Sequence, residues 1–156
     1  MDYELAQVNV ARMRAPLGSP ELASFVAAVD PVLRLAQDSD GFVWRHADAH
    51  GHSVTVEPDG DTTMVVNVSV WRSYEALHAF AYRSPHGAFI RRRANWFVAT
   101  PQPSTALWWV PSGTRPTVEE ALRRLALLRR YGPSPRAFGL RRRYQPDGTS
   151  VRPTRR

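Results

Sequence analysis

Residues 64–71, Met-Val-Val-Asn-Val-Ser-Val-Trp, place Val66, Val68 and Val70 in strict alternation with Asn67, Ser69 and Trp71. This period of two predicts a β-strand whose successive side chains point to opposite faces. One face is purely apolar. The other is polar and aromatic, and its amide and hydroxyl must find hydrogen-bond partners if they are buried beside Trp71. Such a strand belongs inside a sheet with cover on both sides, so the remaining segments must supply neighbouring strands, and both faces need a cover.

Tyr3 to Arg12 alternates loosely about Leu5, Val8 and Val10 and predicts a first strand, closed by Pro16, Gly18 and Ser19. Ser19-Pro20-Glu21 reads as the N-cap, N1 and N2 of a helix that continues through Leu22, Phe25, Val26, Val29 and Leu33, with a kink expected at Pro31. Gly41 to His46 predicts a second strand, and the turn-rich stretch 48–63 a long hairpin loop leading to the third. Ser73 and Glu75 open a second helix; Ser84-Pro85 restarts it after a break, and it ends near Phe97. Thr105 to Val110 predicts a fourth strand. Thr117-Val-Glu-Glu120 has capping-box spacing, and the helix it opens stops at Tyr131-Gly132-Pro133. Phe138 to Tyr144 is expected as an edge strand. The order β-α-β-β-α-β plus a C-terminal helix predicts an α+β, ferredoxin-like antiparallel sheet with helices on one face. For the other face the expected cover is the sheet of a second subunit, which makes a homodimer. The domain is expected over 1–145, and residues 146–156 as a basic, flexible tail.

The length of 156 residues suits one domain. No apolar run reaches the roughly 18 residues that cross a bilayer, and Met1-Asp2-Tyr3-Glu4 lacks the basic, then apolar layout of a signal peptide. The expected address is cytoplasmic, with no membrane partner. The chain has no Cys, which removes disulfides, thiolate nucleophiles and cysteine-ligated metals; it has no Lys either, which removes Schiff-base chemistry. A formal charge of +7 raises the question of nucleic acid. Much of that excess sits on Arg141, Arg142, Arg143, Arg152, Arg155 and Arg156, in or near the expected tail, so nucleic acid is not an expected partner.

If the first strand is in step with the third, Gln7 and Asn9 extend the polar line of Asn67 and Ser69, and Trp44 or Arg45 on the second strand joins it. Each of these amides, taken singly, reads as a core group bonded to its neighbours. Four polar groups beside two Trp point instead to a small-molecule pocket. After Ser84, a turn of about 100° per residue puts His86, Phe89, Ile90, Arg93 and Phe97 on one helical stripe. Arg93 and His86 there suit a carboxylate, a phenolate or a developing enolate. They equally suit a core ion pair and a helix start. His46, Asp48, His50 and His52 crowd one Gly-containing loop that offers metal ligands no fixed frame, so no metal site is expected. The sequence has no GxGxxG, Walker, HExxH or GxSxG motif.

The run Val-Val-Asn67-Val-Ser-Val-Trp71-Arg-Ser73-Tyr-Glu75-Ala-Leu, followed by His78-Ala-Phe and Ser84-Pro-His86, resembles the strand-to-helix segment of the dimeric α+β barrel superfamily. Its antibiotic-biosynthesis monooxygenases often show Trp-x-Ser-x-Glu-x-Leu and Ser-Pro-His in this layout. From Tyr3 to about Tyr144, including Tyr3-x-Leu5-Ala6-Gln7-x-Asn9 and Leu107-Trp-Trp-Val-Pro111, the chain is similar to an uncharacterised bacterial branch of that superfamily. The resemblance implies a cofactor-independent monooxygenase acting on an aromatic or polyketide-type small molecule. In quinone-forming members an Asn, and a Trp four residues later, bind the phenolic substrate and assist its oxidation by O₂; Asn67 and Trp71 fall at that spacing. The Tyr of the following helix corresponds to Leu77 here, so Tyr74 or Tyr82 would have to substitute. The implied catalytic set is Asn67, Trp71 and His86, with substrate contacts from Gln7, Asn9, Trp44, Arg45, Ser69, Tyr82 and Arg93. Haem-degrading relatives carry an axial His where this chain has Phe89 or Ile90, so no cofactor is expected, with haem on His86 as the alternative. Three further readings stay open: a cyclase or isomerase using the same pocket, a non-catalytic module that binds an apolar ligand or haem, and, last, nucleic-acid binding by the Arg-rich surface.

Overall fold

The computed structural model describes residues 2–15, 19–47, 54–56, 64–83 and 96–152. In chain order the elements are β1 (Tyr3–Met13), α1 (Ala23–Gln37) after a 3-10 turn at Pro20–Leu22, β2 (Phe42–Arg45), β3 (Val54–Val56), β4 (Met64–Trp71), α2 (Tyr74–Arg83), β5 (Phe97–Val98), β6 (Thr105–Pro111) and α3 (Val118–Tyr131). The alternating segment is a central strand. β4 pairs antiparallel with β1 from Leu5↔Trp71 to Arg12↔Met64, and β1 pairs on its other edge with β6 from Tyr3↔Pro111 to Asn9↔Thr105. β2 and β3 share the outer edge of β4, while β5 meets β1 at Arg12 and Met13. The long strands therefore lie in the order β2-β4-β1-β6, the ferredoxin-like α+β arrangement.

Residues directly opposite in an antiparallel ladder share a face, so this register sorts the sheet into two. On one face Val8, Val66, Val68, Val70 and Trp108 are buried, none more than 2 % exposed, and Ala121, Leu125 and Leu128 of α3 pack against them. On the other face α2 and α1 cover two separate clusters. Leu5, Trp71 and Leu107 meet Leu77 and Phe138; Met13 and Val65 meet Leu22, Phe25 and Trp96. The face left by the sequence for a second subunit is thus buried within one chain, because the added helix lies on the side opposite α1 and α2.

Local chemistry explains the helix that does this. Thr117 Oγ1 accepts the Glu120 N–H at 3.1 Å, as the capping-box spacing predicts. The Glu120 side chain does not return the bond to Thr117; its carboxylate takes Arg123 at 2.7 Å and Arg124 at 2.9 Å. Hydrogen bonds from these two guanidinium groups hold the Glu120 carboxyl below its ordinary range. Gly132, with φ at +77°, ends the helix by donating its N–H to the Leu128 carbonyl.

Several local expectations change. α1 runs on through Pro31; Ala27, whose carbonyl loses its helical donor there, is exposed and open to water. The loop expected over 48–63 contains β3, since Val54–Val56 pairs with Val66–Met64. Phe97, expected at a helix end, is in β5. Phe138 bridges Leu107, but the expected edge strand goes no further: the chain turns, and Tyr144 pairs with Ser150 around Asp147-Gly148. Residues 143–151 thereby form a hairpin. Arg143 of this hairpin lies over the Tyr74 ring at 3.6 Å, and the Tyr144 carbonyl accepts the Trp109 indole N–H at 2.7 Å.

Two substitutions test this packing. Leu125→Ala removes a side chain only 2 % exposed beneath the valine face and is expected to cost about 2–5 kcal/mol in urea denaturation. Gly41 has φ at +82°, and a Cβ there would collide with the Cβ of Ala76 on α2. Gly41→Ala is expected to cost on the order of 2 kcal/mol by the same measurement.

Candidate functional site

On the face beneath α1 and α2 the two apolar clusters do not merge. Between Leu5 and Met13 on β1 stand Gln7 and Asn9; between Trp71 and Val65 on β4 stand Ser69 and Asn67; beyond Leu107 on β6 stands Thr105. The register brings these five into one patch, with Gln7 opposite Ser69 and Asn9 opposite both Asn67 and Thr105. All are half-buried, unlike the sealed valines on the reverse of the same strands. The strand pairing expected from the sequence is the one found. Thr105 is a member that the sequence reading missed, although its position two residues before Leu107 already put it on the same face.

Hydrogen bonds set the polarity of the patch. The Trp71 indole N–H donates to Ser69 Oγ at 3.0 Å, and Ser69 in turn donates to Gln7 Oε1 at 2.6 Å. Asn9 Nδ2 donates to Thr105 Oγ1 at 2.8 Å. With its oxygen engaged by Ser69, Gln7 keeps its amide N–H groups as donors, and no acceptor among the described residues meets them. Asn9 likewise keeps its oxygen as an acceptor. Trp71 itself is sealed at 1 % exposure, stacked on Phe80 with ring centroids 5.2 Å apart and met edge-on by Phe42 at 5.4 Å. Its single donor is spent on Ser69, so it acts on the patch as an anchor.

Of the two candidates on β2, Arg45 stands opposite Ser69 and so on the polar face, with its Nε and Nη1 buried. A register shift between Phe42 and Trp44 sets Trp44 opposite Val70, on the valine face, where Arg115 lies over its ring at 5.7 Å. Trp44 is therefore not part of the patch: the bulge adds one residue and reverses the side to which it points. Tyr82 lies on α2, and nothing is described of its side chain; His86 and Arg93 fall outside the described residues, as do Asp48, His50 and His52. Among the described residues no group of three or more His, Cys, Asp or Glu is placed to hold a metal ion, and no helix is long and apolar enough to cross a membrane. Arg45 is the charged side chain of the described patch. The patch offers amide donors, amide acceptors and one cation on a framework held from below by Trp71.

This relay gives a stability test. Ser69→Ala leaves the buried Trp71 N–H without its acceptor and is expected to cost about 1–3 kcal/mol. In a double-mutant cycle with Trp71→Phe the two costs should fail to add, with a coupling of about 0.5 kcal/mol or more by urea denaturation.

No curated protein matches this sequence. Among solved structures the chain is similar to SnoaB, described as a cofactor-independent oxygenase from Streptomyces nogalater, at 17% identity over 77% of this chain and 100% of that one, with a TM-score of 0.46. It is also similar to PA3566 from Pseudomonas aeruginosa, at 13% identity over 70% and 94% of the two chains (TM-score 0.45). A third is the ActVA-Orf6 monooxygenase of Streptomyces coelicolor, solved with nanaomycin D, at 15% identity over 73% and 92% (TM-score 0.42). The sequence matches the family described as Domain of unknown function (DUF3291) over residues 4–154. That match runs from β1 through α3 and past the C-terminal hairpin, and the chain belongs to the DUF3291 family.

Proposed function

We propose that this protein is a small-molecule enzyme of the cofactor-independent monooxygenase type, acting on an aromatic or polyketide-type compound held against the polar patch. The observation that carries this reading is the half-buried row Gln7, Asn9, Asn67, Ser69 set between two apolar clusters, with Ser69 and Gln7 wired to Trp71. A flat apolar ligand suits the flanking clusters, and its oxygen atoms suit the row. The Gln7 amide donors and the Arg45 guanidinium opposite Ser69 favour an anionic oxygen over a neutral one, which lowers the energy of a phenolate. The phenolate ring is electron-rich enough to react with O₂: one oxygen atom enters the ring, the other leaves as water, and the phenol emerges as a quinone with two fewer hydrogens. In this reading Asn67 and Gln7 bind the substrate oxygen, Trp71 positions Gln7 through Ser69, and His86, carried by the Ser84-Pro-His86 resemblance, takes the phenolic proton.

One observation favours a second reading, a binding module without oxygen chemistry: the described patch holds no group that titrates near neutrality. The two readings separate in an oxygen electrode. With polycyclic phenols as probes, beginning with a dihydroxynaphthalene, the oxygenase consumes O₂ above the autoxidation of buffer and stalls anaerobically. Asn67→Ala is expected to lower kcat/KM at least tenfold, equivalent to about 1.4 kcal/mol of transition-state binding. Trp71→Phe should lower it by a smaller factor through the loosened Ser69. Saturable probe binding with no uptake in the wild type would assign the pocket to the second reading.

A further inference from the structure

The basic charge of the chain is not spread along it. Residues 113–156 hold twelve Arg against three acidic residues, whereas residues 1–112 hold nine Arg against eleven acidic residues. A general preference for Arg over Lys would enrich both parts alike, so it does not account for a segment at +9 on a body at −2. Nor is this charge merely a tail. Four of the twelve, Arg123, Arg124, Arg130 and Arg136, line one open basin of about 560 Å³ on the outward side of α3, together with Leu127 and Tyr131.

The contents of the basin narrow what could occupy it. Its one carboxylate, Glu120, is used by Arg123 and Arg124. Arg124 is further tied down, donating to the Arg136 carbonyl at 2.9 Å and lying over the buried Trp108 ring. Arg123 keeps 70% of its side chain exposed. Arg130 and Arg136 are exposed and meet no carboxylate among the described residues. Beside them Tyr131 is 68% exposed, with Arg130 over its ring at 5.2 Å. Exposed like charges repel one another, and an exposed aromatic ring among them offers a flat stacking surface rather than core packing. An anionic membrane would exploit the charge, but insertion needs an apolar edge, and apart from Tyr131 the exposed large hydrophobic residues described are Tyr3 and Val98. Guanidinium groups around one exposed ring fit a phosphate backbone whose bases are free to stack.

We propose that the outward face of α3 binds single-stranded nucleic acid, with backbone phosphates on Arg123, Arg130 and Arg136 and a base on Tyr131. This surface lies on the opposite side of the sheet from the Gln7–Asn67 patch and operates independently of it. Fluorescence anisotropy of the full chain with a labelled oligodeoxythymidine of about 20 nucleotides tests it. Three neutralised phosphates predict a slope of about −2 for log K against log salt. Arg123→Gln/Arg130→Gln/Arg136→Gln should weaken binding at least tenfold at low salt and flatten that slope. Tyr131→Ala should weaken it about fivefold or more while Tyr131→Trp retains it, because stacking needs a ring. Arg34→Gln, an exposed change on α1 far along the chain, serves as the control and should leave binding as it is; circular dichroism checks that each variant is folded. Binding by the triple variant equal to wild type would overturn the proposal. So would Tyr131→Ala binding as wild type, or tighter capture by vesicles of phosphatidylserine and phosphatidylcholine than by the oligonucleotide.

Discussion

The pairing of β1 with β4 in one register governs everything else in this molecule. Leu5 opposite Trp71, Gln7 opposite Ser69 and Asn9 opposite Asn67 place like beside like on one face, and Ala6, Val8 and Val10 beside Val70, Val68 and Val66 on the other. A slip of one residue would turn the amides into the valine core and the valines onto the polar face, burying unsatisfied polar groups. Register is thus held from both faces at once. The Ser69–Gln7 hydrogen bond crosses the two strands within the ladder and works as a local lock.

Much of this was legible in eight residues. The alternation of Val66–Val68–Val70 with Asn67–Ser69–Trp71 requires a central strand with two unlike faces, and Gln7 and Asn9 repeat the pattern on the first strand. Period two is a strong signal when both sets are consistent. What the sequence leaves open follows from features with no period. Trp44 and Arg45 are adjacent, so one of them faces the patch, but the bulge that decides between them has no mark in Phe42-Val-Trp-Arg45. The side of the sheet chosen by α3 is similarly hidden: an amphipathic helix declares that it has an apolar stripe, not which surface receives it. The role of Trp71 also changes with coordinates. Its spacing from Asn67 suggests a ring in contact with a ligand, whereas its N–H is engaged by Ser69 and its ring lies on Phe80.

The segment after β6 changes the character of the fold around it. α3 closes the valine face; Phe138, Leu140 and Tyr144 then return around the β6 edge to the opposite face, and Arg143 reaches Tyr74 at the start of α2. One stretch of chain therefore touches both layers of the sheet while carrying the basic excess on its outer side. Packing and charge are divided by helical face: Ala121, Leu125 and Leu128 inward, Arg123 and Arg130 outward. Neither half of that helix is free to change for the other's sake.

The burial of the valine face by α3 has a thermodynamic corollary. A surface closed by a neighbouring molecule carries an association term, so its stability rises and falls with protein concentration. Here the closing element is tethered a few residues beyond β6, so closure of that face is a unimolecular event with the same free energy at nanomolar and millimolar protein. Dilution, which dismantles a shared core, leaves this one intact.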